Sequence, residues 1–393
     1  MGKISIIIII GGDFVDKLAI GLMSGTSLDG IDVCLAKIKG VNESTKIKFL
    51  DGITVPWSLR ARKMIADALD LKRSNIKLIS QLNFLIAHEY KGAILKLLKN
   101  NNLKFNNLSY IASHGQTVWH DPHDEKNPST FQIGSGAVLS ALTKTTVVAN
   151  FRLQDLALGG EGAPLVPFFD ELFFKAKKGL ISLHNIGGIS NLSLLNNGKL
   201  EIAFDTGPGN MIIDFYAHKL FNLNYDDKGT IASKGNLIKP LYNEVLSLNY
   251  FNLEPPKSTG RELFGNHYAN YLLTKYPHFK KEDYLYTATK ITIETIYDSY
   301  RKLIATYGDL KEIIFSGGGA HNDFILTSLS QKLPHVKIKK SSDYQLSIDY
   351  KEALAFIVLA NQTLHQQPSN MPKATKAKGK VILGEISYYR ESD

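Results

Sequence analysis

Apolar positions along this chain fall into two rhythms, one of period two and one of helical period. Leu18 to Ser24, Ile31 to Ile38 and Ile47 to Val55 read as three strands, the first two joined by a Gly/Ser/Thr turn. A second trio starts at Leu180 to Leu183, turns through Asn185-Ile186-Gly187-Gly188 and continues from Ser190 to Leu195. Asn197-Gly198 is a hairpin signal, and Leu200 to Phe204 follows it as the third strand. A helix is expected from about Asn210 to Leu220. Each half therefore opens strand, Gly-rich turn, strand, strand, helix. The residue identities barely match, so the repeat is one of pattern. Such a duplication predicts an α/β chain of two lobes with a cleft between them. The expected divisions are an extension over 1–14, an N-terminal lobe over 15–149 and a C-terminal lobe over 150–393.

Helical spacing is plainest at Ile79, Leu82, Leu85, Ile86, Tyr90, Ala93, Ile94, Leu97 and Leu98. Ile291, Ile296, Tyr300, Leu303 and Ile304 form a second stripe. Both stripes are expected in the core. Pro255-Pro256 breaks regular structure, and His365 to Lys380 reads as loop.

Composition narrows the function classes. A chain of 393 residues is long for one core, which agrees with two lobes. The net charge of +9 comes from scattered lysines, with no basic block interleaved by aromatics. That pattern fits a solvated surface and argues against a nucleic-acid partner. The one cysteine, Cys34, excludes an internal disulfide and sits in an apolar run as a core filler. Ile6 to Ile10 is too short to span a bilayer and has no cleavage site after it, so it is read as an extension or an upstream start. No other stretch reads as transmembrane. A cytoplasmic enzyme without a membrane partner is the expectation.

Five segments carry candidate chemistry. The hairpin loop Ser24-Gly25-Thr26-Ser27-Leu28-Asp29-Gly30 offers glycines, hydroxyls and a carboxylate. It suits either a tight polar turn or a phosphate site with Mg²⁺ nearby. Asp205 ends a strand before Thr206-Gly207-Pro208-Gly209-Asn210. A carboxylate there can act as general base, with the following amides facing an anion, or can simply close a turn. Gly317-Gly318-Gly319 follows an apolar strand and allows close approach of a ligand, with His321 as a polar helix-start residue. Ser113-His114-Gly115-Gln116-Thr117 suits a sugar-binding loop, and His114 could be a base. Asn150 to Asp155 with Gly159 to Pro167 is rich in turn residues, as hinges and substrate loops are. His120-Asp121-Pro122-His123 reads as an exposed loop.

Taken in order, these segments resemble the anhydro-N-acetylmuramic acid kinase family. The carriers are Gly21 to Asp32, Ser113 to Thr117, Gly162 to Pro167, Asn185 to Gly188, Phe204 to Asn210, Pro255 to Glu262, Gly317 to Ala320 and Lys351 to Phe356. The resemblance covers roughly Leu18 to Ile386. It implies the actin/Hsp70/sugar-kinase fold, two ribonuclease-H-like lobes around an ATP cleft. It implies the conversion of 1,6-anhydro-N-acetylmuramic acid, ATP and water to N-acetylmuramic acid 6-phosphate and ADP, in cell-wall recycling. Asp205 would be the general base. ATP would meet Ser24 to Ile31, Gly207, Gly209, Asn210 and Gly317 to Gly319. Gln116, Thr117, Arg152 and Glu352 would meet the sugar. Asp29 and Asp32 would serve Mg²⁺, and a homodimer is suggested. The chain departs from the family at Asn150, where Asp is usual, and at Glu161, where Gln is common. Two other outcomes stay open: a kinase of another anhydro sugar such as levoglucosan, and a non-catalytic ATP-binding module of the same fold.

Overall fold

The computed structural model describes residues 16–25, 30–124 and 126–390, and these contain twelve strands. They are β1 (Lys17–Ser24), β2 (Ile31–Lys39), β3 (Lys46–Val55), β4 (Tyr110–Asp121), β5 (Ser129–Ile133) and β6 (Val147–Ala149). The others are β7 (Leu180–Ile186), β8 (Ile189–Asn196), β9 (Lys199–Pro208), β10 (Leu310–Ser316), β11 (Lys337–Lys340) and β12 (Glu385–Ser387). One sheet has the order β12-β6-β4-β1-β2-β3, with β5 added beside β4, and the other has β11-β10-β7-β8-β9. In each, an antiparallel trio leads into two parallel strands: β1 beside β4 beside β6, and β7 beside β10 beside β11. The two halves thus share one connectivity, as the repeated pattern predicts, and the chain adopts the expected two-sheet α/β architecture. The last strand, β12, returns to the first sheet and pairs antiparallel with β6.

Burial on both faces explains the near-continuous apolar runs. On the outer face of the first sheet Ile20, Leu22, Val33 and Leu35 pack with the helices Leu59–Leu69 and Ile76–Asn100. On its inner face the alternate positions are small: Ala19, Cys34, Ala36 and Ala112. Small side chains let the helix Lys351–Leu364 lie close against β1. With the helix Val166–Phe174 it fills the space between the sheets, meeting Ile181, Leu195 and Ala203 of the second sheet. That sheet's outer face, with Leu192, Leu194 and Phe204, packs against the helices Met211–Phe221 and Lys281–Tyr307. The result is a helix–sheet–helix–sheet–helix stack.

One expectation holds at a single residue. Cys34 is fully buried, and burial pushes its thiol pKa far up, so it is inert core. No helix among the described residues is long and apolar enough to cross a membrane. One expectation is corrected. Ser113 to Thr117 is not a loop but the middle of β4. Gly115 takes φ +79° there, and the register of β4 against β1 slips between Ser113 and Gln116, so the glycine makes a bulge within a strand rather than ending one.

Candidate active site

Asp205 lies near the end of β9, at the edge of the second sheet, and is partly buried. The segment after Pro255-Pro256 folds over it. The Asp205 N–H donates to the Lys257 carbonyl at 2.9 Å, and the Thr259 N–H donates to Asp205 Oδ2 at 2.9 Å. Tyr250 Oη donates to the Asp205 carbonyl at 2.6 Å. Burial pushes the carboxyl pKa up to about 7; the Thr259 amide opposes this, while Glu161 and Glu262 add to it. A carboxylate held in one orientation with such a pKa is poised to accept a proton near neutrality.

His114, on β4, is not available as a base. Arg152 Nε and Nη2 lie 3.1 and 2.9 Å from His114 Nε2. A guanidinium only donates, so Nε2 must be the acceptor. The proton then sits on Nδ1 and is given to the Gly115 carbonyl at 2.8 Å. Burial first, and Arg152 second, hold the imidazole pKa well below its usual range. His114 is a strut for Arg152, whose Nη1 also donates to the Gly162 carbonyl at 2.6 Å. Burial lowers the Arg152 pKa to about 10, against the pull of Glu352 and Asp155. The guanidinium is therefore spent largely on protein partners.

Glu352 stands in the first turn of the helix Lys351–Leu364 and accepts from Asn185 Nδ2, at the end of β7, at 3.3 Å. Burial raises its pKa; Arg152 and then Lys351 oppose this. Gln116 is buried and donates from Nε2 to the carbonyls of Gly25 and Thr117, while among the described residues its Oε1 has no partner. Thr117 accepts from Gln132 Nε2 at 3.3 Å. A buried acceptor without a donor invites a ligand hydroxyl.

Three glycine segments meet beside this group. Gly317 turns with φ +80° and donates to the Ile348 carbonyl at 2.8 Å. A Cβ on Gly319 would lie 2.2 Å from Ile186 Cγ2. Gly318 is exposed, and a Cβ there would meet only Asn210 Nδ2, at 3.6 Å. Bare backbone is thus offered outward at Gly318, as a nucleotide requires. The segment Gly207 to Asn210 departs from expectation. The N–H groups of Gly209, Asn210 and Met211 donate to the carbonyls of Gly188, Gly187 and Gly188. Those amides close the turn between β7 and β8 instead of facing an anion. Asn210 Nδ2 donates to the Ile186 carbonyl at 3.3 Å, and Gly207, at φ +142°, lets Phe251 approach.

At the first hairpin, Ser24 Oγ gives its proton to the Gly115 carbonyl at 3.2 Å, so Tyr90 Oη, 2.8 Å away, must donate to Ser24. Ile31 is core, and Gly30 and Gly25 are partly buried. Thr26, Ser27, Leu28 and Asp29 lie outside the described residues. Asp32 accepts from Thr54 Oγ1 at 2.6 Å. Among the described residues no group of three or more His, Cys, Asp or Glu could hold a metal.

Several partners were not legible as site residues. Thr259 and Tyr250 carry no acid–base pattern and reach Asp205 only through the fold. Glu161 accepts from Lys376 Nζ at 2.6 Å and from Ser258 Oγ at 3.4 Å. Asp155, fully buried, accepts from Gly162 N, Asn370 Nδ2 and Thr375 Oγ1 and so anchors the glycine loop to the C-terminal segment. Asn150 adopts φ +56° and donates to Glu385 Oε2 at 2.8 Å. An Asp there would set two carboxylates together, which explains the amide in this chain.

Comparison with known proteins identifies the family. The family model for anhydro-N-acetylmuramic acid kinase matches residues 17–389. An anhydro-N-acetylmuramic acid kinase of Francisella tularensis subsp. novicida (strain U112) is 43% identical over 95% of this chain and 99% of its own. One of Bacillus cereus (strain AH187) is 41% identical over 94% and 98%. Among solved structures, the Acidaminococcus fermentans (R)-2-hydroxyglutaryl-CoA dehydratase component A matches with TM-score 0.44 and 13% identity, over 87% of this chain and 96% of that one. By family model and by full-length relatives, the chain belongs to the anhydro-N-acetylmuramic acid kinase family.

Proposed function

We propose that this kinase opens the 1,6-anhydro bridge of 1,6-anhydro-N-acetylmuramic acid with water and phosphorylates the freed O6. The observation that carries the proposal is Asp205: a carboxylate clamped by the Thr259 amide, with a pKa raised to about 7. Water attacks the anomeric carbon, the bond from that carbon to O6 breaks, and Asp205 takes the proton of the water. ATP, with Mg²⁺, supplies the phosphoryl group that O6 accepts, and ADP leaves. Gly317 to Gly319 and the Ser24 to Asp32 hairpin would receive the nucleotide, with Asp32 and Asp29 serving the metal. Glu352, Gln116 and Thr117 would hold sugar hydroxyls, while Arg152 braces β4 through His114. The two lobes, the first of them including the returning strand β12, would close on the substrates and exclude stray water.

The test of substrate is direct. Purified protein is offered ATP with each anhydro sugar, and ADP release is followed. Turnover of the muramic substrate is expected; turnover of levoglucosan alone would overturn the proposal. Two further results follow from the site. Because Asp205 must be deprotonated to act, kcat falls on the acid side with an apparent pKa near 7, roughly tenfold per pH unit below it. Gln116→Leu removes the unpartnered Oε1 and raises the sugar KM about tenfold, with the KM for ATP changed little.

A further inference from the structure

Lys351 and Asp170 form an ion pair deep in the molecule, and no step above uses it. Lys351 Nζ lies 2.7 Å from Asp170 Oδ1, and the two side chains are only 5% and 2% exposed. Asp170 belongs to the helix Val166–Phe174, and Lys351 opens the helix Lys351–Leu364. Both helices lie between the sheets.

Helix stability does not account for the lysine. A cation at the first helical position opposes the helix dipole. Burying it adds a desolvation cost, and an apolar pair of similar volume would fill the space as well or better. The helix start also has no side-chain cap at Tyr350. The neighbours suggest another use. From Lys351 to Thr363 every residue is buried except Glu352. Glu352 is therefore the one point at which this stretch of helix opens towards the site, where it meets Asn185 of the second sheet. On the side of the first sheet, β1 touches the backbone of the same turn, since a Cβ on Gly21 would lie 2.1 Å from the Ala353 carbonyl oxygen. Lys351 supplies a short ion-pair contact to a third element, the helix Val166–Phe174. The helix bearing Asp170 also follows directly on the loop whose Gly162 carbonyl holds Arg152.

We propose that the buried Lys351–Asp170 pair sets the rotation of this first helical turn and so aims Glu352 at the sugar, making both Lys351 and Asp170 positioning residues. This rests on Glu352 being a sugar contact, as proposed above.

The test uses the full-length enzyme and compares Lys351→Met, Asp170→Asn, the double variant Lys351→Met/Asp170→Leu, and Glu352→Gln. Each single pair variant leaves an uncompensated buried group and lowers the thermal midpoint, while the apolar double recovers it. Despite that recovery, the double variant is expected to raise the sugar KM about tenfold or more, with kcat and the KM for ATP within about twofold. Glu352→Gln is expected to raise the sugar KM as well. Combining it with the double adds much less than the sum, because both act on one contact. A double variant with parental stability and parental sugar KM would overturn the positioning role. A parental KM in Glu352→Gln would instead overturn the assignment of Glu352. Should the double fail to fold, Asp170→Glu keeps the charge and displaces the contact: a raised sugar KM supports the role, and a parental one overturns it.

Discussion

Asp205→Asn is expected to lower turnover of the anhydro sugar at least ~10²-fold while ATP still binds. Asn keeps an oxygen that can accept from the Thr259 N–H, so the loop over β9 stays in place. What it loses is the capacity to take a proton from water. The same substitution changes stability in the opposite sense. The carboxyl has a pKa of about 7 in the folded chain against an ordinary value of 3.8. Between those values the folded state holds a proton that the unfolded state releases. Stability therefore falls as pH rises through the window, and the loss is complete above about pH 7. Asn does not titrate. The variant should match the parent in thermal midpoint below about pH 4 and exceed it by a few degrees above pH 7. Thermal scans at both pH values, with ADP release, check the two effects together. Near-normal turnover in the variant would remove Asp205 as the base.

Gly21→Ala is expected to prevent proper folding or to cost about 3 kcal/mol or more. The new Cβ would lie 2.1 Å from the Ala353 oxygen, 2.8 Å from the Ala353 carbonyl carbon and 3.0 Å from Ile357 Cγ1. Two of those atoms are backbone, in a helix buried between two sheets. Relief would require moving β1 or the helix, and either shift would disturb Glu352. Gly92→Ala is the control. It lies in the helix Ile76–Asn100, nothing stands within 4 Å of a Cβ there, and the change should stabilise by up to about 1 kcal/mol. Denaturant unfolding of the two variants separates a tight crossing from a general intolerance of alanine.

The strands of both trios were legible because each sheet sets a period of two on its side chains. Ile20, Leu22, Val33 and Leu35 mark one face, and Ala19, Gly21, Cys34 and Ala36 the other. Large against small on the two faces also foretells that something packs closely on the second. What packs there, the helix Lys351–Leu364, comes from more than three hundred residues away and has no local signature. Asp205 stood out as a carboxylate at a strand end, yet its clamp by Thr259 and its raised pKa depend on a loop some fifty residues later. Glycine was the least dependable guide. At Gly115 it marks a bulge inside β4, and at Gly209 it admits the Gly187 carbonyl instead of a phosphate. A glycine permits close approach but does not say of what. The pairing of His114 with Arg152 was hidden for a similar reason, since its two residues meet only across the fold.

The mass of the phosphorylated product tests the account most directly. Enzyme is incubated with ATP and 1,6-anhydro-N-acetylmuramic acid, and the product is identified by mass spectrometry alongside ADP. Opening of the bridge by water coupled to phosphorylation predicts one equivalent of ADP and a sugar phosphate that has gained the atoms of one water. A sugar phosphate lighter by one water, with the bridge retained, would show phosphorylation of a different hydroxyl and contradict the role given to Asp205.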